Sequence, residues 1–197
     1  MEIALFIIVA YLFGSLVPGV WIARAYRVDI RKVGSGNIGS TNAYRALGFW
    51  AGAVVQVIDI LKAALPTYLA MKRGLPSWSL YLIVSAAVIG HIYPIWGKFQ
   101  GGKGINTLLG GMLVLQPLSA LAAVGTFLLT LSLSQIVSVS SLVAVGSFLV
   151  WHAFIGEGTP VGYIMGGLWW LLVVYTHRSN LARLWAGTEP RIGSSKR

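Results

Sequence analysis

Long apolar runs alternate along this chain with short polar ones, and the apolar runs have the length a bilayer requires. Residues 3–23 carry no charged side chain, and Arg24, Arg27, Arg31 and Lys32 follow directly. About 20 such residues in a helix cross the hydrocarbon core of a membrane. The same pattern predicts spans from about Trp50 to Met71 and from about Ser77 to Trp96. It predicts a short fourth helix over Ile105 to Leu115, ended by Gln116-Pro117, and a fifth from Leu118 to Leu133. A sixth runs through Val150, and a seventh covers about Val161 to Tyr175. The expected fold class is an all-α integral membrane protein with seven transmembrane helices. No internal repeat interrupts it, so one membrane-embedded domain over residues 1–193 is expected, and Ser194 to Arg197 reads as a disordered tail or an expression remnant.

Composition agrees. With 56% hydrophobic residues, 10% charged residues and a mean hydropathy of +0.76, the chain departs from soluble domains, in which roughly a quarter of residues are charged. A formal charge of +10 would suggest nucleic acid in a soluble protein, but in a membrane protein the position of the basic residues decides their meaning. Of 15 lysines and arginines, only Lys72 and Arg73 fall on the side opposite the rest, and Lys62 lies within a span. The N-terminus is therefore expected outside and the C-terminus in the cytoplasm, with no nucleic-acid partner. Only Glu2 precedes the first apolar run and no Ala-x-Ala site follows it, so that run is expected to be retained as a helix rather than cleaved as a signal. Cysteine is absent and three scattered histidines make a poor zinc set, so neither a metal nor a cofactor is expected.

The chemistry is concentrated in polar islands between the spans. In the first, Gly34-Ser35-Gly36-Asn37-Ile38-Gly39-Ser40-Thr41-Asn42, glycines let main-chain N–H groups approach a ligand while hydroxyls and amides crowd around them. Arg45 adds a permanent charge with a planar fork suited to phosphate. A capped loop joining two membrane helices is the plainer reading of this island alone. The second island, Lys98-Phe99-Gln100-Gly101-Gly102-Lys103-Gly104 with Asn106 and Thr107 just after, repeats the recipe at a helix start, where exposed N–H groups favour anions. It is not a Walker A loop, because Gly104 and Ile105 follow the lysine. A serine patch with Ser138 and Ser141 either reaches a ligand or lets helices pack closely. The last island is helical in register and sets His177, Asn180 and Arg183 along one side, with Glu189 after it. The predicted topology brings these islands to one cytoplasmic surface.

Two other features have competing readings. Asp59 and Lys62 lie three residues apart inside the second span, where charges are costly unless paired. They form an ion pair there, or Asp59 supports the loop or Arg45 from below. His152 and Glu157 form a His-x4-acid string like the catalytic His-x4-Asp of one acyltransferase class, but the topology puts them opposite the basic islands, so both are expected to be interfacial.

Taken in order, the islands resemble a known family, the acyl-phosphate:glycerol-3-phosphate acyltransferases of bacteria, the PlsY family. The resemblance is carried by Ser35 to Asn42 with Arg45, Leu47 and Gly48; by Gly101 to Gly104 with Thr107; and by His177-Arg178 with Asn180, Arg183, Leu184, Gly187, Thr188 and Glu189. Gln100, Gln135 and Thr176 depart from the basic residues expected there. The resemblance implies transfer of a fatty acyl group from acyl phosphate to the 1-hydroxyl of glycerol 3-phosphate, giving lysophosphatidic acid at the bacterial inner membrane. It implies catalytic roles for Ser35, Lys103 and His177. Substrate-binding roles fall to Gly36, Asn37, Gly39, Ser40, Thr41, Asn42 and Arg45, to Gly101, Gly102, Gly104 and Thr107, and to Ser138, Ser141, Asn180, Arg183 and Glu189. The implied partners are the two substrates and membrane lipid, with no obligatory protein partner. A transporter or flippase for phosphorylated metabolites is the alternative, disfavoured because such proteins bind near the bilayer midplane and often carry inverted repeats.

Overall fold

Helices form where the apolar runs lie, and their ends fall at proline, glycine and polar residues. The computed structural model describes residues 1–193, which are helical with no strand. The first run is divided into α1 (Glu2–Gly14) and α2 (Pro18–Ala25). A residue before proline is driven out of the α region, and Val17, ahead of Pro18, sits at φ −122°, ψ 63°. The first polar island is only partly loop: α3 (Ser40–Leu47) starts within it and ends at Gly48, whose φ is 91°.

Then follow α4 (Phe49–Lys72), α5 (Ser77–Ile92), a 3-10 turn at Ile95–Gly97 and α6 (Ile105–Leu115). The remaining helices are α7 (Pro117–Ser134), α8 (Val137–Phe154), α9 (Pro160–Thr176) and α10 (Arg178–Trp185). Among the described residues, five segments are long and apolar enough to cross a membrane, namely Glu2–Ala25, Phe49–Lys72, Ser77–Gly97, Pro117–Ser134 and Val137–Phe154. Helices α6 and α9 are shorter. At about 1.5 Å per residue, α6 is only about half as long as a hydrocarbon core of about 30 Å. The expected tail from Ser194 to Arg197 lies outside the described residues.

The chain forms two compact units, Met1–Leu115 and a second beginning at Gln116. In the first, α1 packs on α5 and α4 on α6, while α3 lies on α4. Small residues permit the first of these contacts: a side chain at Gly14 would strike the Ala87 carbonyl, and one at Gly90 that of Tyr11. In the second unit α8 packs between α7 and α9, burying Phe148, Trp169 and Val173. Large apolar side chains such as Trp50, Leu133 and Phe154 are exposed, while Asp59, Lys62 and His91 are buried. That inversion of the soluble pattern suits a hydrocarbon surround, in which polar groups must find partners inside the protein.

His152 is not interfacial. It is fully buried on α8, stacked on Phe148 at 5.6 Å and edge-on to Tyr163 at 4.9 Å. The reason is that α8 continues beyond Val150 to Phe154 and carries the imidazole into an aromatic core.

Candidate active site

In the first unit the site is organised by one buried amide. Asn42, on the first turn of α3 and 1% exposed, donates through Nδ2 to the carbonyls of Ile30 (3.1 Å) and Val33 (3.0 Å). Its Oδ1 accepts from the Ser35 N–H at 2.9 Å. An amide with all these bonds made inside the chain shapes the glycine-rich loop from within. Gly34 is needed there: its φ is 58°, and a side chain would strike Asn42 Oδ1. Asn37 Oδ1 accepts from the Gly39 N–H at 2.8 Å, and Ser40 Oγ accepts from Asn106 Nδ2 at 2.8 Å, which ties the loop to the start of α6. Ser35 and Arg45 are exposed.

The second loop is fastened to the first and to α5. Arg31 Nη2 donates to the carbonyls of Gly97 (3.2 Å) and Gln100 (2.9 Å). The Gly101 N–H donates to the Ile92 carbonyl and the Gly102 N–H to the His91 carbonyl, both at 3.1 Å. These two donors therefore hold the loop on the end of α5 and do not present themselves to an anion. Lys103 follows, half-buried, and Gly104 turns the chain at φ 83° into α6. Thr107 lies in the interior of α6, fully buried, its hydroxyl without a hydrogen-bond partner.

In the second unit a single carboxylate gathers the predicted residues. Glu189 Oε1 accepts from Asn180 Nδ2 at 2.6 Å and from the Ser138 hydroxyl at 2.7 Å, and its Oε2 accepts from Arg183 Nε at 2.8 Å. The Glu189 side chain is only 6% exposed. Burial by itself raises its pKa, but the bonds from Asn180, Ser138 and Arg183, with the arginine charge, outweigh burial and hold it below the usual carboxylate range. The carboxylate therefore fixes Ser138, Asn180 and Arg183 relative to one another.

His177, 1% exposed, joins α9 to α10 and places Nδ1 2.8 Å from the Val173 carbonyl. A carbonyl only accepts, so Nδ1 carries the hydrogen and Nε2 is the basic nitrogen of the neutral ring. The Ser141 hydroxyl donates back to the Val137 carbonyl at 2.9 Å along its own helix. Sequence reasoning gave Arg31 and Asn106 no role in fastening the loops and passed over His91. The available signal was the buried charge at Asp59 and Lys62, which called for a polar partner on a neighbouring span.

Known proteins are similar to this chain over nearly its full length. The family model described as glycerol-3-phosphate acyltransferase matches residues 4–187. The chain is 42% identical to the glycerol-3-phosphate acyltransferase of Thermus thermophilus over 95% of its length and 94% of the relative's. To that of Listeria welshimeri it is 40% identical, covering 98% of both chains. Its fold is similar to the crystal structure of PlsY, an integral membrane glycerol 3-phosphate acyltransferase, in the glycerol 3-phosphate form. That match has a TM-score of 0.93 and 37% identity, and covers 98% of this chain and 97% of the other. The lysophosphatidic acid form of PlsY matches with a TM-score of 0.90. The chain belongs to the glycerol-3-phosphate acyltransferase family.

Proposed function

We propose that this protein acylates the sn-1 hydroxyl of glycerol 3-phosphate with acyl phosphate as donor, releasing phosphate and lysophosphatidic acid. The observation that carries the acceptor and the product is the match, over 98% of the chain, to PlsY in forms named for glycerol 3-phosphate and lysophosphatidic acid. The donor is inferred from the chemistry of the loops. An acyl phosphate is a mixed anhydride with an already activated carbonyl, so positioning and stabilisation of developing negative charge suffice. The substrate oxygen attacks the carbonyl carbon, the bond from that carbon to the phosphate oxygen breaks, and phosphate leaves.

Lys103 and the loops around Ser35 to Asn42 and Gly101 to Gly104 take the acyl phosphate, the lysine steadying the phosphate that departs. Arg45, Ser141, His177 and Asn180 take glycerol 3-phosphate. The hydroxyl proton goes to the substrate's own phosphate, with His177 the competing acceptor through Nε2. Residues 1–193 work as one catalytic domain in the bacterial inner membrane. Purified protein in detergent is expected to make lysophosphatidic acid from palmitoyl phosphate and labelled glycerol 3-phosphate without coenzyme A, acyl carrier protein, ATP or added metal. Activity supported only by acyl-coenzyme A would falsify the donor assignment, and activity lost to EDTA would overturn the metal-free expectation.

Seven crossings complete the topology, with α6 and α9 added to the five long segments, the N-terminus outside and the loops cytoplasmic. The basic residues support this orientation through their bias to one side of the spans. A tag at Met1 is expected to be reachable from outside intact cells, and tags near Arg31, Gly101 or the C-terminus are not. Labelling of Gly101 from outside overturns a cytoplasmic site.

A further inference from the structure

Against the end of α5 that carries the second loop lies a buried polar cluster that the proposed chemistry does not use. Asp59 and Lys62 on α4 are each 2% exposed, and His91 on α5 is 5% exposed. Lys62 Nζ lies 2.6 Å from Asp59 Oδ1 and 3.3 Å from His91 Nδ1, and that ring nitrogen is 3.5 Å from the same carboxylate oxygen. An ion pair on one helix turn could satisfy itself within α4. Here the third member comes from another helix, and it is the residue that touches the loop.

His91 meets the loop in two ways. Its main-chain carbonyl accepts from the Gly102 N–H at 3.1 Å. Its ring turns Nδ1 to the ion pair and leaves Nε2 beside Gly102, where a side chain at position 102 would strike it. Turning the ring away would strip two buried charged groups of a polar neighbour, which is costly at this depth. The ion pair thus holds the ring, and the ring backs the loop. Helix α6, which starts directly after the loop, closes on the same turn of α4, because a side chain at Gly110 would strike the Ile60 carbonyl.

We propose that Asp59, Lys62 and His91 are positioning residues for the acyl donor. Through His91 they fix the backbone of Gly101 to Gly104 and so the place of Lys103. The inference rests on the reading that this loop takes acyl phosphate. Misplacing a reacting group by about 1 Å can cost on the order of a hundredfold in rate, so a loop without its backstop loses catalysis while the protein still folds.

The test is steady-state kinetics with palmitoyl phosphate and glycerol 3-phosphate varied separately. His91→Ala is expected to lower kcat/KM for palmitoyl phosphate on the order of tenfold to a hundredfold and to leave KM for glycerol 3-phosphate unchanged. The neutral pair Asp59→Asn with Lys62→Gln carries the same expectation if His91→Ala does not fold. Gly102→Ala puts a methyl against the ring and is expected to impair the donor in the same way. Adding His91→Ala to Gly102→Ala then restores part of the donor kcat/KM, because the methyl occupies the space that the ring leaves. A purely structural role moves melting temperature and active fraction but gives neither the donor-specific split nor the rescue. Folded Gly102→Ala with wild-type donor kinetics, equal loss for both substrates, or no rescue overturns the inference. A wild-type protein inactive with palmitoyl phosphate, or Lys103→Ala with unaltered donor kinetics, defeats the proposed function instead.

Discussion

Lys103→Ala is expected to depress turnover roughly tenfold to a hundredfold with little change in KM for glycerol 3-phosphate, matching the loss of a charge-assisted phosphate contact of about 1.5 to 3 kcal/mol. The lysine stands half-buried between Gly102, whose N–H is bonded to α5, and Gly104, which turns into α6. Its backbone is therefore fixed, and truncation removes the charge without moving the loop. Charge builds on the departing phosphate mainly in the transition state, so the loss falls on kcat. Arg45 gives the contrast, being exposed on the last turn of α3. Arg45→Ala is expected to raise KM for glycerol 3-phosphate with kcat preserved, as when an interaction equal in ground and transition states is removed. Measuring both constants for both substrates checks the pair, and reversal of the pattern exchanges the two anion assignments.

His177→Ala is expected to abolish most turnover while His177→Asn retains a substantial part. The ring is buried, and its Nδ1–H is held by the Val173 carbonyl at the junction of α9 and α10. Asparagine keeps a hydrogen-bond donor there but has no basic nitrogen near neutral pH, so it separates positioning from proton transfer. General-base catalysis typically contributes on the order of a hundredfold to ten-thousandfold. If both variants are equally inactive and wild-type activity falls on the acid side near the ordinary histidine pKa of about 6.5, His177 is the base and the substrate phosphate is not.

The organisation of the chain is written in its one-dimensional pattern. Apolar length, basic flanks and the residues at Pro117 and Pro160 locate the apolar helices from α4 onward to within a few residues, because a helix in lipid satisfies its backbone locally; the break between α1 and α2 and the start of α3 within the first island escape that pattern. The islands are equally legible as chemistry, since glycine, serine, asparagine, lysine and arginine crowd there against an apolar background. Individual roles inside the islands are not. Asn42 and Glu189 both look like ligands by residue type, yet Asn42 bonds to Ile30, Val33 and Ser35, and Glu189 collects Ser138, Asn180 and Arg183. Gly101 and Gly102 look like anion donors, yet their N–H groups belong to the carbonyls of Ile92 and His91. His91 carries no local signal at all, and its part is defined by Asp59 and Lys62 on another helix. Helix positions and the residue types of the site follow from local pattern, because hydrophobic length and backbone satisfaction act within a segment. Whether a polar group faces a ligand or holds the loop that does is decided by distances of about 3 Å between residues far apart in the chain, and only the folded packing sets those.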